Sequence, residues 1–192
     1  MSLLPFRHLP PEVLTRPVTG LNLLPGDFAA QFHTRQPTLI AFLRHFGCVF
    51  CRETVTDLHH AATANLNFPE ILFVYQGTPE EGRRFFFNLW PAARAIADPE
   101  RVFYEAFQIP RGGIIEMFGG EALRCTLRAI SKGHFIQPPK GDPWLMPGLF
   151  LVMNREIHWH HHFQHAGDHP DWQHLARLSY NLTKNDEERV RA

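Results

Sequence analysis

Two cysteines separated by two residues, Cys48 and Cys51, directly follow a short and nearly continuous apolar segment. That segment, residues 38–46, lacks the spacing of a helix and is typical of a strand buried in the middle of a sheet. Gly47 ends it, and residues 52–66 then carry apolar side chains at intervals of three and four, which predicts an amphipathic helix. The two cysteines are therefore expected at a junction between a strand and a helix.

The segments that follow repeat the alternation of strand and helix. Residues 70–76 form a second buried strand, and Thr78 is placed to cap the helix after it. A short strand over 94–98 leads into a helix over 98–107, with Asp98 as its N-cap. Such alternation predicts parallel strand pairing and an α/β layer architecture.

The C-terminal half is less regular. Residues 111–140 are rich in glycine and proline around one helical stretch at 120–131, and we interpret this region as an insertion within the domain. Residues 148–154 and 156–163 follow each other so closely that they predict an antiparallel β-hairpin. A terminal helix is expected over 168–182.

Length and composition indicate one globular domain over residues 1–192, with an irregular proline-rich arm at 1–26 and a charged, frayed tail at 183–192. Hydrophobic residues make up 44% of the chain and charged residues 20%, which excludes an intrinsically disordered protein. The formal net charge is zero with neutral histidines, so no overall field favours nucleic acid or an anionic membrane.

The sequence shows neither a secretory signal nor an apolar run long enough to span a bilayer, which predicts a cytoplasmic location. In a reducing compartment cysteines are seldom structural crosslinks. The chain has 3 cysteines, an odd number and too few for a disulfide framework.

A Cys-x-x-Cys pair at the start of a helix is suited to thiol–disulfide exchange. The unpaired N–H groups and partial positive charge of a helix N-terminus stabilise a thiolate. We expect Cys48 to be the nucleophile and Cys51 to attack the resulting mixed disulfide. Arg44, His45 and Arg52 are expected to add positive charge that lowers the pKa of the attacking thiol.

Other interpretations of the cysteines remain open. The pair could be half of a zinc site, although the only further cysteine is Cys125, or it could be two small buried apolar residues. Cys125 itself could resolve a disulfide if a loop moved, or it could be an apolar residue of its helix.

The segment FLRHFGCVFCRE, residues 42–53, resembles the signature of peroxiredoxin-like proteins in the alkyl hydroperoxide reductase C and thiol-specific antioxidant group. It is most similar to the branch related to selenoprotein L. GDPW (141–144), GLFLV (148–152) and HAGDHPDW (165–172) are similar to later blocks of that branch, in the same order. The resemblance implies a thioredoxin-like fold, with a mixed central sheet flanked by helices, and a thiol redox activity without a cofactor.

The resemblance also places Pro147, which precedes the first strand of the hairpin, where thioredoxin-like proteins carry a cis-proline facing the cysteines. A cis bond between Met146 and Pro147 is therefore expected, with a trans-proline at a strand start as the alternative. Trp144 is expected either to form a wall of the active site or to belong to the core.

The sequence departs from a typical peroxiredoxin, which has Pro-x-x-x-Thr-x-x-Cys. If Cys51 aligns with the peroxide-reducing cysteine, Cys48 stands in place of the threonine and Arg44 in place of the proline. The distant peroxide-orienting arginine is also missing from its place before Met146. Arg44, Arg52 or Arg111 could substitute. These departures favour dithiol–disulfide exchange over peroxide reduction.

Histidines are concentrated near the C-terminus, six of them in one stretch: His158, His160, His161, His162, His165 and His169. On a strand, His158, His160 and His162 would share one face and could bind a transition metal. An exposed edge strand is the simpler interpretation, and we expect no metal there.

Two classes of function follow. The first is a dithiol oxidoreductase that reduces a disulfide or peroxide substrate and is restored by an electron donor of the thioredoxin or glutathione type. The second is a non-catalytic binding or metal-handling module that uses the histidine-rich strand.

Overall fold

The centre of the fold is a mixed six-stranded sheet. The computed structural model describes residues 7–32 and 35–191. The strands are β1 (Gly20–Leu21), β2 (Thr38–Phe42), β3 (Glu70–Tyr75), β4 (Arg94–Ala97), β5 (Gly148–Met153) and β6 (Glu156–His160). Their order across the sheet is β1-β4-β3-β2-β5-β6. β2, β3 and β4 are parallel, and the other three pairings are antiparallel. The predicted mixed central sheet is confirmed.

Helices cover both faces of the sheet. They are α1 (Pro11–Leu14), α2 (Val49–Ala64), α3 (Pro79–Phe86), α4 (Val102–Ala106), α5 (Ile114–Phe118), α6 (Gly120–Ser131) and α7 (Trp172–Arg191). One core cluster includes side chains of α2, α3, α5, α6 and α7, and the other includes side chains of α1 and α4. Within the described parts of the chain, none of these helices is both long and apolar enough to cross a membrane.

β2 is the strand that brings the cysteines to the middle of the molecule. All five of its residues are buried, and its side chains alternate between the two core clusters. Leu39 and Ala41 belong to the cluster beneath α2, whereas Ile40 and Phe42 belong to the opposite one. Burial on both faces explains why this strand has a continuous apolar sequence.

The N-terminal arm is more ordered than its prolines indicated. Residues 1–6 lie outside the described residues, but the remainder of the arm contains α1 and β1, and β1 pairs with β4. Gly20 makes this pairing possible, because a Cβ atom there would lie 1.9 Å from the carbonyl oxygen of Ala95. The prediction of an irregular arm is therefore wrong for these elements, since the pairing depends on a distant strand that no local pattern indicates.

Asp98 caps the following helix, although the helix begins later than predicted. Its carboxylate accepts hydrogen bonds from the backbone N–H groups of Val102, Phe103 and Tyr104. Arg101 precedes the helix with a φ angle of 62°, so residues 99–101 form a turn instead of the first helical turn.

The predicted hairpin is confirmed. It is formed by β5 and β6, with positive φ angles of 52° and 64° at Asn154 and Arg155 in the turn. The terminal helix α7 then continues to Arg191, so the prediction of a frayed tail is wrong for residues 183–191, and Ala192 lies outside the described residues. Lysine, glutamate and arginine dominate that segment, and all three have high helix propensity.

Residues 111–140 cover the start of α2. α6 lies where a helix was predicted, whereas the short α5 was missed because its apolar residues are mostly exposed and show no amphipathic spacing. Glu53 of α2 is fully buried and forms ion pairs with Arg128 and Lys132 on the α6 side. These ion pairs fix α6 against the helix that carries the cysteines.

Candidate active site

Cys48 and Cys51 lie at the N-terminus of α2, as predicted. Cys48 is the N-cap residue, with extended backbone angles, and Cys51 lies in the first turn. Both thiols are free and buried, with 5% and 3% of their surface exposed. The turn between β2 and α2 is closed by a hydrogen bond of 3.0 Å from the backbone N–H of Cys48 to the carbonyl oxygen of His45.

The environment of Cys48 stabilises a thiolate. A hydrogen bond from the Cys51 thiol lowers the pKa of Cys48, whereas burial raises it. The Arg44 guanidinium and two backbone N–H groups of α2 also lower this pKa, and the net result is a pKa of about 6. The donors are the N–H groups of Phe50 and Cys51, which belong to the unpaired first turn of the helix. Cys48 is therefore largely ionised at neutral pH.

Cys51 has the opposite character. Burial raises its pKa well above the usual value, and the neighbouring charge of Cys48 raises it further. Its Sγ atom lies 3.2 Å from the backbone nitrogen of Arg44, which donates a hydrogen bond to it. The pair thus consists of one thiolate and one protonated thiol, as nucleophilic attack followed by resolution requires.

Arg44 is the group that organises the site. Its side chain is almost fully buried, and Nη1 donates a hydrogen bond of 3.2 Å to Cys48 Sγ. Nη2 contacts Met117 Sδ at 2.7 Å and the Pro143 carbonyl oxygen at 2.6 Å, while Nε donates to the Leu145 carbonyl oxygen at 2.9 Å. One guanidinium therefore joins Cys48 to α5 and to the loop before β5.

His45 does not supply the expected positive charge. Burial, and after it the charge of Arg44, lowers its pKa to about 4, so the ring is neutral at neutral pH. Its buried Nδ1 has no hydrogen-bond partner among the described residues. The prediction that His45 stabilises the thiolate by its charge is wrong, because burial, and to a smaller extent the neighbouring Arg44, disfavours the charged ring.

Arg52 faces the loop of residues 132–147 between α6 and β5, here called the covering loop. Its Nη2 donates a hydrogen bond of 2.8 Å to Gln137 Oε1, and its guanidinium carbon lies 5.2 Å from the ring centroid of Phe85. Burial, the larger effect, lowers the pKa of Arg52, whereas Cys51 raises it. The groups that lower the pKa of Cys48 are Cys51, Arg44 and backbone amides, so Arg52 contributes mainly to holding the loop.

The bond between Met146 and Pro147 is trans, so the expected cis-proline is wrong. The backbone before it pairs with residues 110–112: Met146 N–H donates to the Pro110 carbonyl oxygen at 2.9 Å, and Gly112 N–H donates to that of Trp144 at 2.8 Å. This extended segment runs directly into β5. The trans bond, which has the lower free energy, is compatible with that extended path. Pro147 and Cys51 nevertheless both line one small cavity.

Trp144 lies on the outer side of the covering loop. It is 37% exposed, and its ring packs edge-on against Phe118 of α5 with centroids 6.5 Å apart. Trp144 does not line the small cavity that adjoins Cys51 and Pro147. Trp144 is thus neither a core residue nor a wall of that cavity, and its ring contact is with Phe118.

The cysteines are covered in this conformation. Gly47 lies directly beneath the loop, because a Cβ atom there would approach the carbonyl oxygens of Gln137 and Pro138 to 2.3 Å. Gln76 connects the covering loop to the segment before the cysteines, because its side chain donates hydrogen bonds to the carbonyl oxygens of Asp142 and Arg44. Sequence reasoning missed Gln76 and Met117, since neither stands near the cysteines in the chain.

The remaining space beside the cysteines is small. A cavity of about 10 Å³ adjoins Cys51 and is lined by Phe42, Leu43, Arg44, Phe50, Cys51, Thr54, Pro147, Gly148, Leu149, Phe163, Ala166 and His169. A larger groove of about 1080 Å³ lies elsewhere, between α2 and α7, and contains no cysteine. Of these two spaces, only the small cavity adjoins a cysteine of the pair, and Cys48 itself is closed off from solvent in this conformation.

The histidine stretch does not gather as a metal site. β6 ends at His160, so His162 lies beyond the strand that was expected to align it with His158. Among the described residues, the group with ligand atoms close enough for one ion is instead Glu53, Asp57 and His169. Its carboxylates already form ion pairs with Arg128 and Lys132, which makes the cluster a salt-bridge network.

Comparison with known families identifies the family of the chain. The family model described as AhpC/TSA antioxidant enzyme matches residues 57–165, more than half of the chain. The chain belongs to the AhpC/TSA antioxidant enzyme family. The match begins after Cys51, so it rests on the body of the fold and leaves the use of the two cysteines open.

Relatives extend the comparison to most of the chain. Peroxiredoxin-like 2C of Bos taurus is 27% identical over 177 residues, which cover 85% of this chain and 76% of that protein. The crystal structure of a cysteine-to-serine mutant of Xylella fastidiosa PrxQ superposes with a TM-score of 0.63 at 11% identity, over 97% of this chain and 99% of that one.

A disulfide oxidoreductase secreted by Mycobacterium tuberculosis and homologous to DsbE of E. coli has a TM-score of 0.51 at 14% identity, over 91% of this chain and 98% of that one. At such identities the two structural likenesses establish the fold alone. They confirm the thioredoxin-like fold that the sequence implied, and the family places this member of the AhpC/TSA group among redox enzymes.

Proposed function

We propose that this family member is a thiol–disulfide oxidoreductase in which Cys48 is the nucleophile and Cys51 the resolving thiol. The observation that carries the proposal is the contact of 3.2 Å between Arg44 Nη1 and Cys48 Sγ at the N-terminus of α2. A buried guanidinium and the helix N-terminus both favour the thiolate of Cys48.

The reaction with a disulfide substrate has two steps. The Cys48 thiolate attacks one sulfur, forming a mixed disulfide, and the other substrate sulfur leaves as a thiolate that takes a proton from solvent. Cys51 then loses its proton and attacks Cys48 Sγ, so that the Cys48–Cys51 disulfide forms and the second substrate thiolate leaves. The substrate gains two electrons, and a thiol donor, either one dithiol of the thioredoxin type or two monothiols of the glutathione type, returns two electrons to the pair.

A peroxide is the second substrate class that the site supports. The Cys48 thiolate would displace an alkoxide or hydroxide from the peroxide and become a sulfenic acid, and Cys51 would then release water by forming the disulfide. Arg44 provides a donor beside Cys48 from the position where a typical peroxiredoxin has proline. Comparing the rates with a small disulfide and with hydrogen peroxide would decide which substrate is preferred.

The alternative of a metal-handling module loses its main support, since His162 lies beyond β6. Stoichiometric metal retained by purified protein would revive it. The cytoplasmic location and the single domain with an insertion at 111–140 remain proposals, and fractionation and limited proteolysis would test them.

The proposal is tested by ultraviolet titration of thiolate against pH. We expect one thiol with a pKa near 6 that disappears in Cys48→Ser and persists in Cys125→Ser. Cys51→Ser keeps a hydrogen-bond donor for Cys48 and should raise its pKa less than Cys51→Ala does. Titration of every variant near the free value of about 8.5 would contradict the proposal.

A further inference from the structure

The resolving step requires Cys51 to lose a proton inside an apolar region. Its side chain is 3% exposed and lies among Phe50, Leu149 and Phe163, which cannot accept a proton. Burial raises the pKa of Cys51, so the thiol is protonated at neutral pH when Cys48 has formed a mixed disulfide. A polar route is needed for the proton to leave.

The cavity beside Cys51 offers such a route at one side. Its volume of about 10 Å³ is sufficient for roughly one water molecule. Besides Cys51, the polar side chains in its lining are Arg44, Thr54 and His169. A guanidinium has no lone pair that accepts a proton, so Thr54 and His169 are the available acceptors.

Thr54 and His169 form a connected pair. Thr54 Oγ1 lies 3.1 Å from His169 Nε2, and His169 Nδ1 lies 3.9 Å from a carboxylate oxygen of Asp57. Because Nδ1 faces a carboxylate, the ring proton is favoured on Nδ1, which leaves Nε2 to accept from the Thr54 hydroxyl. The side chains of His169 and Asp57 are 11% and 20% exposed, so the chain of polar groups leads from the cavity towards solvent.

We propose that Thr54 and His169 form the path by which the proton of Cys51 leaves during disulfide resolution, an inference that rests on the proposed dithiol function. The Cys51 proton passes, directly or through one water in the cavity, to the Thr54 hydroxyl, whose own proton moves to His169 Nε2. The Cys51 thiolate then bonds to Cys48 Sγ, and the departing substrate thiolate takes a proton from solvent. His169 returns its proton to solvent at its exposed edge.

The charges around His169 suit a transient proton carrier. Asp57 and Glu53 face it from α2, Arg128 and Lys132 from the α6 side, and the two positive residues bind the two carboxylates. Burial lowers the pKa of His169 to about 4, while Glu53 and Asp57 raise it and Arg128 and Lys132 lower it. The His169 ring is thus neutral before the reaction and can accept a proton. It releases that proton again because its pKa lies below neutral pH.

Stopped-flow reaction with dithiodipyridine, a chromogenic disulfide, separates the two steps. In a Cys125→Ser background, attack by Cys48 releases one thiopyridone and attack by Cys51 releases a second. His169→Gln and Thr54→Val should leave the first phase unchanged and slow the second about a hundredfold or more, within the range usual for lost proton-transfer groups. Thr54→Ser should restore the second phase, and His158→Gln, at an exposed position on β6, is the matched control.

The pH dependence separates a proton path from a merely structural role. Without the path, deprotonation of Cys51 depends on hydroxide, so the second phase of His169→Gln should rise about tenfold for each pH unit, more steeply than that of the parent. An unchanged second phase in His169→Gln and Thr54→Val would overturn the inference while leaving the dithiol function intact. Absence of both phases from the parent protein would instead refute the proposed function.

Discussion

Arg128 of α6 donates hydrogen bonds of 2.8 and 2.9 Å to the two carboxylate oxygens of Glu53, which is fully buried in α2 just after the cysteine pair. A bidentate pair of this kind fixes orientation as well as distance. The segment that covers Cys48 is thus anchored to the same helix that carries Cys48.

Removing one partner of this pair should destabilise the protein. Arg128→Met leaves the Glu53 carboxylate with Lys132 as its remaining cation, and we expect a loss of about 1–3 kcal/mol in the free energy of unfolding, because a buried carboxylate loses two charge-assisted hydrogen bonds. Urea denaturation measures the loss. Arg124→Met, in an exposed ion pair on the same helix, is the control and should change stability by less than about 0.5 kcal/mol.

The same pair adds to stability at neutral pH. Burial raises the pKa of Glu53, but Arg128 and Lys132 outweigh it, so the net shift is downward from 4.5. A lowered carboxyl pKa stabilises the folded state above the unfolded pKa, and this contribution is lost as pH falls below about 4.5. Glu53→Gln should therefore be less stable than the parent at pH 7, with a difference that narrows in acid. A constant difference across pH would contradict the assignment.

Arg44 should control the acidity of Cys48. Arg44→Met removes the guanidinium but keeps much of the side-chain volume, and we expect the pKa of Cys48 to rise from about 6 by about one unit or more. Arg44→Lys keeps the charge and should raise it less. The measurement is the pH dependence of Cys48 alkylation by iodoacetamide, and an unchanged pKa in Arg44→Met would refute the role of the guanidinium.

Two buried neutral histidines should make the protein sensitive to mild acid. His45 and His169 each have a pKa lowered from 6.5 to about 4, mainly by burial. The unfolded chain binds protons more readily over this interval, so stability falls as pH decreases from 6.5 to 4, by about 1.4 kcal/mol per pH unit for each histidine. His45→Gln should flatten the profile, and equal slopes for the variant and the parent would exclude His45 as a contributor.

Gly47 should control access to the thiols. A Cβ atom at Gly47 would lie 2.3 Å from two carbonyl oxygens of the covering loop, so Gly47→Ala must displace that loop. We expect faster alkylation of Cys48 together with a loss of about 1–3 kcal/mol in stability. Gly120→Ala at the start of α6 has nothing within 4 Å of the added atom and is the control. Alkylation at the parent rate would show that the loop does not limit access.

The local features of this site could be predicted from the sequence. The strand over 38–42, the helix after it and the position of the cysteines between them follow from apolar spacing and Gly47. The helix at 120–131 and the hairpin follow from similar short-range patterns. Each of these depends on residues that are close together in the chain.

The groups that tune the site could not be predicted in this way. Arg44 binds the Leu145 carbonyl oxygen, which lies 101 positions away, and Thr54 contacts His169 at a separation of 115 positions. The neutral state of His45 depends mainly on its burial, which its own position next to Arg44 in the chain does not reveal. The sequence shows that His45 can carry a positive charge, but burial and neighbouring groups in the fold decide whether it does.

The short strand β1 has a consequence for the behaviour of the protein at high concentration. An exposed strand edge offers unpaired backbone groups to which another chain can add. Gly20 and Leu21 of β1 pair with Ile96 and Ala95 at the centre of β4. Two residues of the N-terminal arm thereby prevent another chain from pairing with β4 at these positions. A larger side chain at position 20 would disrupt the pairing of β1 and expose the edge of β4 to such aggregation.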